Sequence, residues 1–184
     1  KEQIKEKKAS KKKSLAIKKE GAATIDFIGV LNSGKSSLFA SLTNSKYESE
    51  NNYEINMKMI PFQNIWLQGI DLPAFHAKFA DSSSAGQVFS LIRNSDVIVL
   101  VVNDEEQLHF LQSVLEKVKI KIGPRKVQAF EKTEVPAIVT TSDIGDLQQL
   151  KEQIWAKTGK IRIQTKTAGK IAEKPVVLKT GATV

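Results

Sequence analysis

Hydrophobic positions along the chain repeat with two different periods. Short apolar stretches rich in β-branched residues predict four strands: ATIDFIG (23–29), NIWLQGIDLP (64–73), DVIVLVVND (96–104) and VPAIVT (135–140). Apolar residues spaced three and four apart predict four helices: KSSLFASLTN (35–44), GQVFSLIRNS (86–95), EEQLHFLQSVLEKVKIKIG (105–123) and GDLQQLKEQIWAKTG (145–159). Because predicted strands and helices alternate, the sequence indicates an α/β fold with a mostly parallel sheet.

The pattern changes after this alternation ends. From Ile161, the stretch IRIQTKTAGKIAEKPVVLKTGATV alternates apolar and polar residues around a glycine, which predicts a β-hairpin. A hairpin by itself is at best marginally stable in water, so we expect it to begin a second domain that is incomplete here. The predicted organisation is a basic, helical N-terminal segment (1–20), an α/β domain (21–159) and the start of a second domain (160–184).

One loop carries a recognisable chemical motif. GVLNSGKSS fits the P-loop pattern G-x-x-x-x-G-K-[ST] through Gly29, Gly34, Lys35 and Ser36, and it lies between a predicted strand and a predicted helix. Glycines let the backbone N–H groups curl around phosphates, and the helix N-terminus adds a partial positive charge. Lys35 would contact the β- and γ-phosphates, and the Ser36 hydroxyl would bind Mg²⁺. The candidate nucleotide contacts of this loop are Gly29, Asn32, Ser33, Gly34, Lys35, Ser36 and Ser37. The alternative is an ordinary glycine-rich turn with a solvated lysine.

A second candidate lies in GIDLPAF. Asp71 ends an apolar predicted strand, and P-loop proteins use an Asp in that position to hold Mg²⁺. Asp71 is therefore predicted to be the second metal residue beside Ser36. A strand-end Asp near a proline can also be a simple turn residue, so the assignment of Asp71 to Mg²⁺ depends on the P-loop upstream.

Charge is unevenly distributed along the chain. The net charge is +8; residues 1–20 hold nine Lys and three Glu (+6), and residues 155–184 hold seven Lys/Arg and one Glu (+6), which leaves −4 for residues 21–154. Two basic ends can be solvated faces, or they can attract phosphate-rich RNA. The chain contains no cysteine, which excludes disulfides and thiolate metal sites and is compatible with a cytoplasmic protein. The longest apolar run (97–102) is too short to span a membrane, and we expect none to be spanned.

Four stretches together carry a family resemblance: IKKEGAATIDFIGVLNSGKSSLFASLTNS (17–45), DLPAF (71–75), DVIVLVV (96–102) and the C-terminal hairpin sequence (161–184). They resemble the Obg-related GTPases that end in a TGS domain, especially the developmentally regulated GTP-binding (DRG) proteins and their prokaryotic counterparts. The resemblance implies GTP/GDP and Mg²⁺ as ligands, a K⁺ associated with Asn32 that assists hydrolysis together with Lys35, and nucleotide contacts from Ala74. It also implies a ubiquitin-like TGS module, ribosome- or RNA-linked work and a protein cofactor.

The chain departs from this family in its switch regions. Ala74 stands at the glycine of the D-x-P-G motif, and Phe75 stands where many GTPases have a water-positioning Gln. The expected switch I stretch (51–64) contains no threonine. No N-K-x-D motif follows VPAIVT; the chain continues with TSDIGDLQQLKEQIW, which resembles the later S-A-x loop and makes Thr141 and Ser142 candidate guanine-side contacts. Either the G domain is degenerate, or the sequence as given omits these loops.

Three functions are consistent with these residues. The leading one is a Mg²⁺-dependent GTP-binding protein that hydrolyses GTP slowly without a partner. The second is a degenerate nucleotide-sensing or non-hydrolysing RNA- or ribosome-binding module. An ATPase of the same fold is the third, because the purine-reading residues are not visible in the sequence.

Overall fold

The computed structural model describes residues 18–46, 54–123, 127–129, 132–167, 170–172 and 175–180. The strands in these residues are β1 (Thr24–Gly29), β2 (Asn56–Phe62), β3 (Ile65–Asp71), β4 (Val97–Val101), β5 (Ile120–Gly123), β6 (Val127–Ala129), β7 (Lys132–Thr140), β8 (Lys160–Ile163), β9 (Lys166–Thr167), β10 (Lys170–Ile171) and β11 (Val176–Lys179). The α-helices are α1 (Lys35–Leu42), α2 (Ala85–Asn94), α3 (Glu105–Lys117) and α4 (Leu147–Lys157). Most of the predicted basic N-terminal helix, residues 1–17, lies outside the described residues.

The central sheet has the order β2-β3-β1-β4-β7-β5, with β6 paired to β7. The pairs β1–β3, β1–β4, β4–β7 and β5–β7 are parallel, whereas β2–β3 and β6–β7 are antiparallel. The predicted α/β fold with a mostly parallel sheet is therefore confirmed. In parallel strands the carboxyl ends lie at one edge of the sheet, and this edge positions the loops described below.

Both faces of the sheet are covered by helices. In β4 the side chains of Val97, Val99 and Val101 belong to the core beneath α1 and α4, whereas Ile98 and Leu100 belong to the core beneath α2 and α3. All five residues are 0% exposed, which explains why this strand is a continuous apolar run instead of an alternating one.

The helix predicted over 105–123 is shorter than expected. Helix α3 ends at Lys117, and Lys119 has a φ of 60°, which interrupts the helical path. The chain then forms β5, in which Ile120 pairs with Thr133 of β7 and is fully buried. The alternation of isoleucine with lysine in these last residues was a strand signal that the preceding helical stripe obscured, so Gly123 ends a strand and not a helix.

Strand β2 was not predicted, because its sequence mixes polar and apolar residues without a β-branched run. It pairs along its whole length with β3, from Asn56 opposite Asp71 to Phe62 opposite Ile65. The intervening Gln63 and Asn64 have φ angles of 42° and 66°, as a tight two-residue hairpin turn requires.

The C-terminal residues form the predicted hairpin, with an interruption. Strand β8 pairs antiparallel with β11, and the short β9 pairs with β10 inside that pair. The hairpin rests on the sheet: Val177 packs against the core beneath α1 and α4, and the Lys160 Nζ donates to Asp96 Oδ2 at 2.9 Å and to the Ala22 carbonyl at 2.7 Å. Its assignment to a second domain at 160–184 stays a prediction.

Candidate nucleotide-binding site

The loop between β1 and α1 needs glycine at two of its positions. Gly34 has a φ of 78°, and a Cβ there would lie 2.2 Å from the Cβ of Ser142. At Gly29 a Cβ would lie 2.5 Å from the Ser33 hydroxyl oxygen and 2.8 Å from the Val101 carbonyl oxygen. All three contacts are shorter than a carbon atom can tolerate, so the close approach of Ser33, Val101 and Ser142 requires glycine at these two motif positions.

Helix α1 begins directly after this loop and points its N-terminus outward from the carboxyl edge of the sheet. Gly34 occupies the N-cap position, and no side chain caps the helix. The first turn contains no acidic residue. The N–H groups and the positive end of the helix dipole are therefore available to an anion, as the motif predicts.

Three predicted site residues converge beside the helix N-terminus. The Lys35 Nζ forms an ion pair with Asp71 Oδ1, and the Ser36 hydroxyl donates to Asp71 Oδ2 at 2.8 Å. Strand β3 places Asp71 there, because its parallel register with β1 puts Asp71 opposite Phe27, next to the loop. Lys35 is only 6% exposed, an unusual burial for a lysine that its carboxylate partner explains.

The same residues suit a hard divalent cation. Mg²⁺ prefers oxygen ligands and commonly uses one or two protein oxygens, with water and phosphate oxygens completing its coordination. The Ser36 hydroxyl and the Asp71 carboxylate are two such oxygen donors in direct contact. Among the described residues there is no cluster of three or more His, Cys, Asp or Glu that could hold a metal without a ligand's help.

The segment after β3 is tied to the loop by its backbone. The Phe75 N–H donates to the Gly29 carbonyl at 2.9 Å, and the Phe75 side chain is 1% exposed and stacks on Phe79 with ring centroids 4.3 Å apart. Phe75 is therefore a core residue and offers no polar group to a water molecule. Ala74, its neighbour, is buried at 9% exposure.

The remaining predicted contacts lie around the same loop. Ser142 lies against Gly34, so the segment after β7 borders the P-loop. Thr141 is exposed, and its hydroxyl donates to the Asp143 carbonyl at 3.5 Å. Ser37 is exposed in the first turn of α1. Ser33 is 1% exposed, and its hydroxyl has no hydrogen-bond partner within the described part of the chain.

Comparison with known proteins agrees with this geometry. The family described as 50S ribosome-binding GTPase matches residues 24–141. The chain belongs to this GTPase family. Its P-loop G domain is matched over residues 24–141, and these residues contain the entire candidate site except Ser142.

Relatives of this G domain are distant. The chain is 31% identical over 118 residues to the uncharacterized GTP-binding protein MJ1326 of Methanocaldococcus jannaschii, covering 61% of this chain and 30% of the relative. It is 25% identical over 154 residues to human developmentally-regulated GTP-binding protein 2, covering 79% of this chain and 42% of the relative. The chain thus spans less than half the length of these curated relatives. The expected resemblance to DRG proteins is confirmed for the G domain, and the TGS domain stays a prediction.

Solved structures show the same fold. The cytosolic domain of the T. maritima FeoB iron transporter in its GMPPNP form is 26% identical with a TM-score of 0.51, covering 77% of this chain and 65% of that one. A variant of S. thermophilus NFeoB bound to GMPPNP has a TM-score of 0.51 at 20% identity, covering 73% and 62% of the two chains, and shows the fold alone. Within the described residues of this G domain, no helix is long and apolar enough to cross a bilayer.

Sequence reasoning missed one residue that contacts the P-loop. The Asn103 side chain donates to the Asn32 carbonyl at 3.3 Å, and its backbone N–H donates to Gln107 Oε1 at 3.0 Å. Asn32 itself has a φ of 62°. The available signal was that Asn103 is a polar residue just beyond the carboxyl end of β4. Because β4 is adjacent to β1, the loop that follows β4 must lie beside the P-loop.

Proposed function

We propose that this G domain binds GTP together with Mg²⁺ and hydrolyses it slowly without a partner. The observation that carries the proposal is the convergence of Lys35, Ser36 and Asp71 at the uncapped N-terminus of α1. A buried lysine, a hydroxyl and a carboxylate at one helix terminus fit a phosphate chain with its cation better than they fit a structural ion pair.

Each residue of the site would have its own role in binding the phosphates or the cation. Lys35 and the N–H groups of the loop would hold the phosphate oxygens, and Ser36 and Asp71 would hold Mg²⁺, which supplies positive charge to the phosphates. Catalysis would then consist of positioning and electrostatic stabilisation of the transferred phosphoryl group. Asn32 would bind K⁺ near the same oxygens and assist Lys35.

Slow hydrolysis is expected from the two residues of the D-x-P-G region that differ from other GTPases, Ala74 and Phe75. Phe75 is packed in the core and carries no group that could orient the attacking water. Ala74 retains its N–H for the γ-phosphate, but a Cβ makes the required backbone movement less easy than glycine would. We therefore expect that a protein cofactor or K⁺ accelerates the reaction.

Guanine recognition is proposed for the segment that follows β7. Ser142 borders the P-loop at Gly34, and Ser142 and the preceding Thr141 are proposed to lie beside the base. The names of the curated relatives favour GTP over ATP. Competition of GDP and ADP for the same site is the direct test, because an ATPase of this fold would prefer ADP.

Titration calorimetry of the whole chain with GDP and a non-hydrolysable GTP analogue, in Mg²⁺, tests nucleotide binding. We expect binding to be lost in Lys35→Ala and retained in the matched control Lys117→Ala, which removes an exposed lysine from the end of α3. Equal affinity of the two variants would contradict the assignment. Phosphate release in a single turnover then separates a GTPase from a non-hydrolysing nucleotide sensor.

We further propose that the two basic ends contact RNA or the ribosome, in the cytoplasm, and that residues 160–184 begin a TGS domain. The supporting observation is the charge of +6 at each end around a −4 centre, derived from the counts of the printed sequence. Lys166 and Lys179 of the hairpin are exposed. Binding should weaken with salt, with a log–log slope of about −0.7 per single-stranded phosphate contacted.

The RNA proposal is tested by replacing charges, not by cutting the chain. Lys166→Gln/Lys179→Gln should bind ribosomal RNA more weakly and with a shallower salt slope than the wild type. The control Lys78→Gln/Lys117→Gln removes two exposed lysines from the G domain. Identical salt slopes for both double variants would show that the hairpin lysines form only a solvated face.

A further inference from the structure

Strand β2 places both methionines of the chain, Met57 and Met59, on one face of the sheet. Ile60 and Phe62 belong to the core beneath α1 and α4, so the alternation of side chains along the strand puts the methionines on the opposite face. Among the described residues neither methionine joins the core beneath α2 and α3, and Met57 is 47% exposed. The two methionines line a cavity of about 300 Å³ on this face.

The first described residues of the chain run along the same cavity. Lys18 and Glu20 line it together with Gln68 of β3, which lies opposite Met59 in the β2–β3 register. The Gln68 Nε2 donates to the Lys18 carbonyl at 3.0 Å, and the Gln68 Oε1 accepts from the Glu20 N–H at 3.0 Å. Gln68 is itself 5% exposed, so these bonds fix the chain against the sheet. The residues that immediately precede Lys18 must therefore leave from the wall of this cavity.

The segment before Lys18 ends in an apolar stretch. Leu15, Ala16 and Ile17 are three consecutive apolar residues that follow the lysine-rich sequence KEQIKEKKASKKKS. Three extended residues span about 10 Å, which is long enough to cross the cavity. We infer that residues 15–17 occupy the cavity, and that their contact with Met57 and Met59 anchors the basic N-terminal segment to strand β2. This inference concerns a face away from the P-loop and does not rest on the proposed nucleotide binding.

Two physical arguments favour this occupant over a separate partner molecule. A segment joined to the cavity wall at Lys18 has an effective concentration of roughly millimolar, which a free partner seldom reaches. Methionine side chains are flexible and polarizable, so they pack against apolar neighbours of varied shape, such as leucine, alanine and isoleucine. Docking would bury these three side chains and leave the flanking lysines in water; Lys18 and Lys19 are indeed exposed. The anchored segment therefore keeps its charge.

The first test is disulfide trapping, which is direct because the chain contains no cysteine. In the whole chain, Met57→Cys is combined in turn with Leu15→Cys, Ala16→Cys and Ile17→Cys, and a mild oxidant is added. A disulfide requires Cα atoms within about 7 Å, so at least one of the three pairs should cross-link rapidly within one chain. Val139→Cys replaces Met57→Cys in the matched control, because Val139 is 48% exposed and lies on β7, four strands from β2 in the sheet order.

Peptide mass spectrometry identifies the cross-linked pairs and separates the outcomes. Cross-linking of Met57→Cys with none of the three positions would overturn the inference, and so would equally fast cross-linking of Val139→Cys. A disulfide that forms only between two chains would assign the cavity to a second copy of the protein and would also overturn it.

The second test uses the native methionines. Dilute hydrogen peroxide converts accessible methionine to the sulfoxide, and mass spectrometry measures the rate at Met57. Leu15→Asp/Ile17→Asp puts carboxylates into the apolar contact and should raise this rate severalfold. Ser10→Asp/Ser14→Asp adds the same charge to the same segment and should leave the rate unchanged. Equal rates in the wild type and both double variants would show that residues 15–17 do not cover the methionine, which would overturn the inference.

Discussion

The two ends of the sheet each carry a lysine–aspartate pair, buried at the carboxyl end and half-buried at the amino end, and the pairs differ in their other partners. At the carboxyl end, Lys35 and Asp71 have side-chain exposures of 6% and 10%; at the amino end, Lys160 and Asp96 have 14% and 17%. Asp96 also accepts from the Thr24 N–H at 2.9 Å, and Lys160 also donates to a backbone carbonyl.

We call the Lys35–Asp71 pair exchangeable, because a ligand can take the place of one of its members, and we call the Lys160–Asp96 pair structural. At the amino end, backbone groups of β1 and of the segment before it complete the hydrogen bonds, so the pair fixes three chain segments together. At the carboxyl end, the Ser36 hydroxyl is the further partner that the described residues provide, and a ligand could replace either member of the pair. The kind of neighbour therefore distinguishes the functional pair from the structural one better than the small difference in exposure does.

The largest expected effect is at the exchangeable end. Gly34→Ala places a methyl group 2.2 Å from the Cβ of Ser142 on a backbone with φ of 78°. We expect at least about a hundredfold loss of nucleotide affinity and a loss of about 2 kcal/mol in the free energy of unfolding. Calorimetry measures the nucleotide affinity, and urea unfolding measures the free energy of unfolding. Gly86→Ala, with nothing within 4 Å of its Cβ, should instead be neutral or slightly stabilising; unchanged binding by Gly34→Ala would contradict the loop geometry.

Breaking the structural pair should have the next largest effect. Lys160→Met removes the ion pair with Asp96 and the hydrogen bond to the Ala22 carbonyl, and we expect the free energy of unfolding to fall by about 1–2 kcal/mol. Nucleotide affinity should stay within about twofold, because the pair lies at the opposite edge of the sheet. Lys166→Met, in the exposed part of the hairpin, is the control. If Lys160→Met weakened nucleotide binding as much as it lowered stability, the two ends would not be independent.

The contact between the hairpin and the β2–β3 turn should matter less. The Arg162 guanidinium donates to the Gln63 carbonyl, and both residues are exposed. Arg162→Ala should therefore lower the free energy of unfolding by only about 0.5 kcal/mol. Amide hydrogen exchange should detect the change locally, as faster exchange in β8 and β11. Faster exchange that included β4 would mean that the hairpin supports the sheet more broadly than its contacts indicate.

The smallest expected effect concerns Asn103. Asn103→Leu keeps the approximate shape of the side chain but loses the 3.3 Å hydrogen bond to the Asn32 carbonyl. A single exposed hydrogen bond contributes roughly 0.5–1 kcal/mol, so nucleotide dissociation should accelerate by about threefold, and the melting temperature should fall by no more than about 4 °C. Stopped-flow release of labelled GDP measures this, and Asn103→Gln, which keeps a donor, should recover part of the loss. Equal release rates for all three proteins would remove Asn103 from the site.

How much the sequence could predict differs between these regions for a physical reason. The P-loop, β1 and β4 were predictable because spacing and continuous apolar runs are local signals. The convergence of Lys35 with Asp71 was inferable because parallel strands align their carboxyl ends. Strand β2 pairs with its sequence neighbour β3, but it was missed because its mixed polar and apolar residues form no β-branched run. The Asn103 contact depends on two segments that are distant in the sequence, which leaves no local pattern. Strand β5 was missed because Ile122, four residues after Val118, continues the apolar stripe of α3 in the sequence.

Strand β3 limits how Asp71 can move. It is hydrogen-bonded on both sides, in parallel to β1 and antiparallel to β2, and Asp71 is its last residue. Sliding β3 by one residue would invert its faces and move Leu67 and Ile70, both buried, away from their cores. The Asp71 carboxylate is therefore attached to a strand that cannot shift its register. The site can adapt to a ligand by rotation of side chains far more easily than by movement of β3.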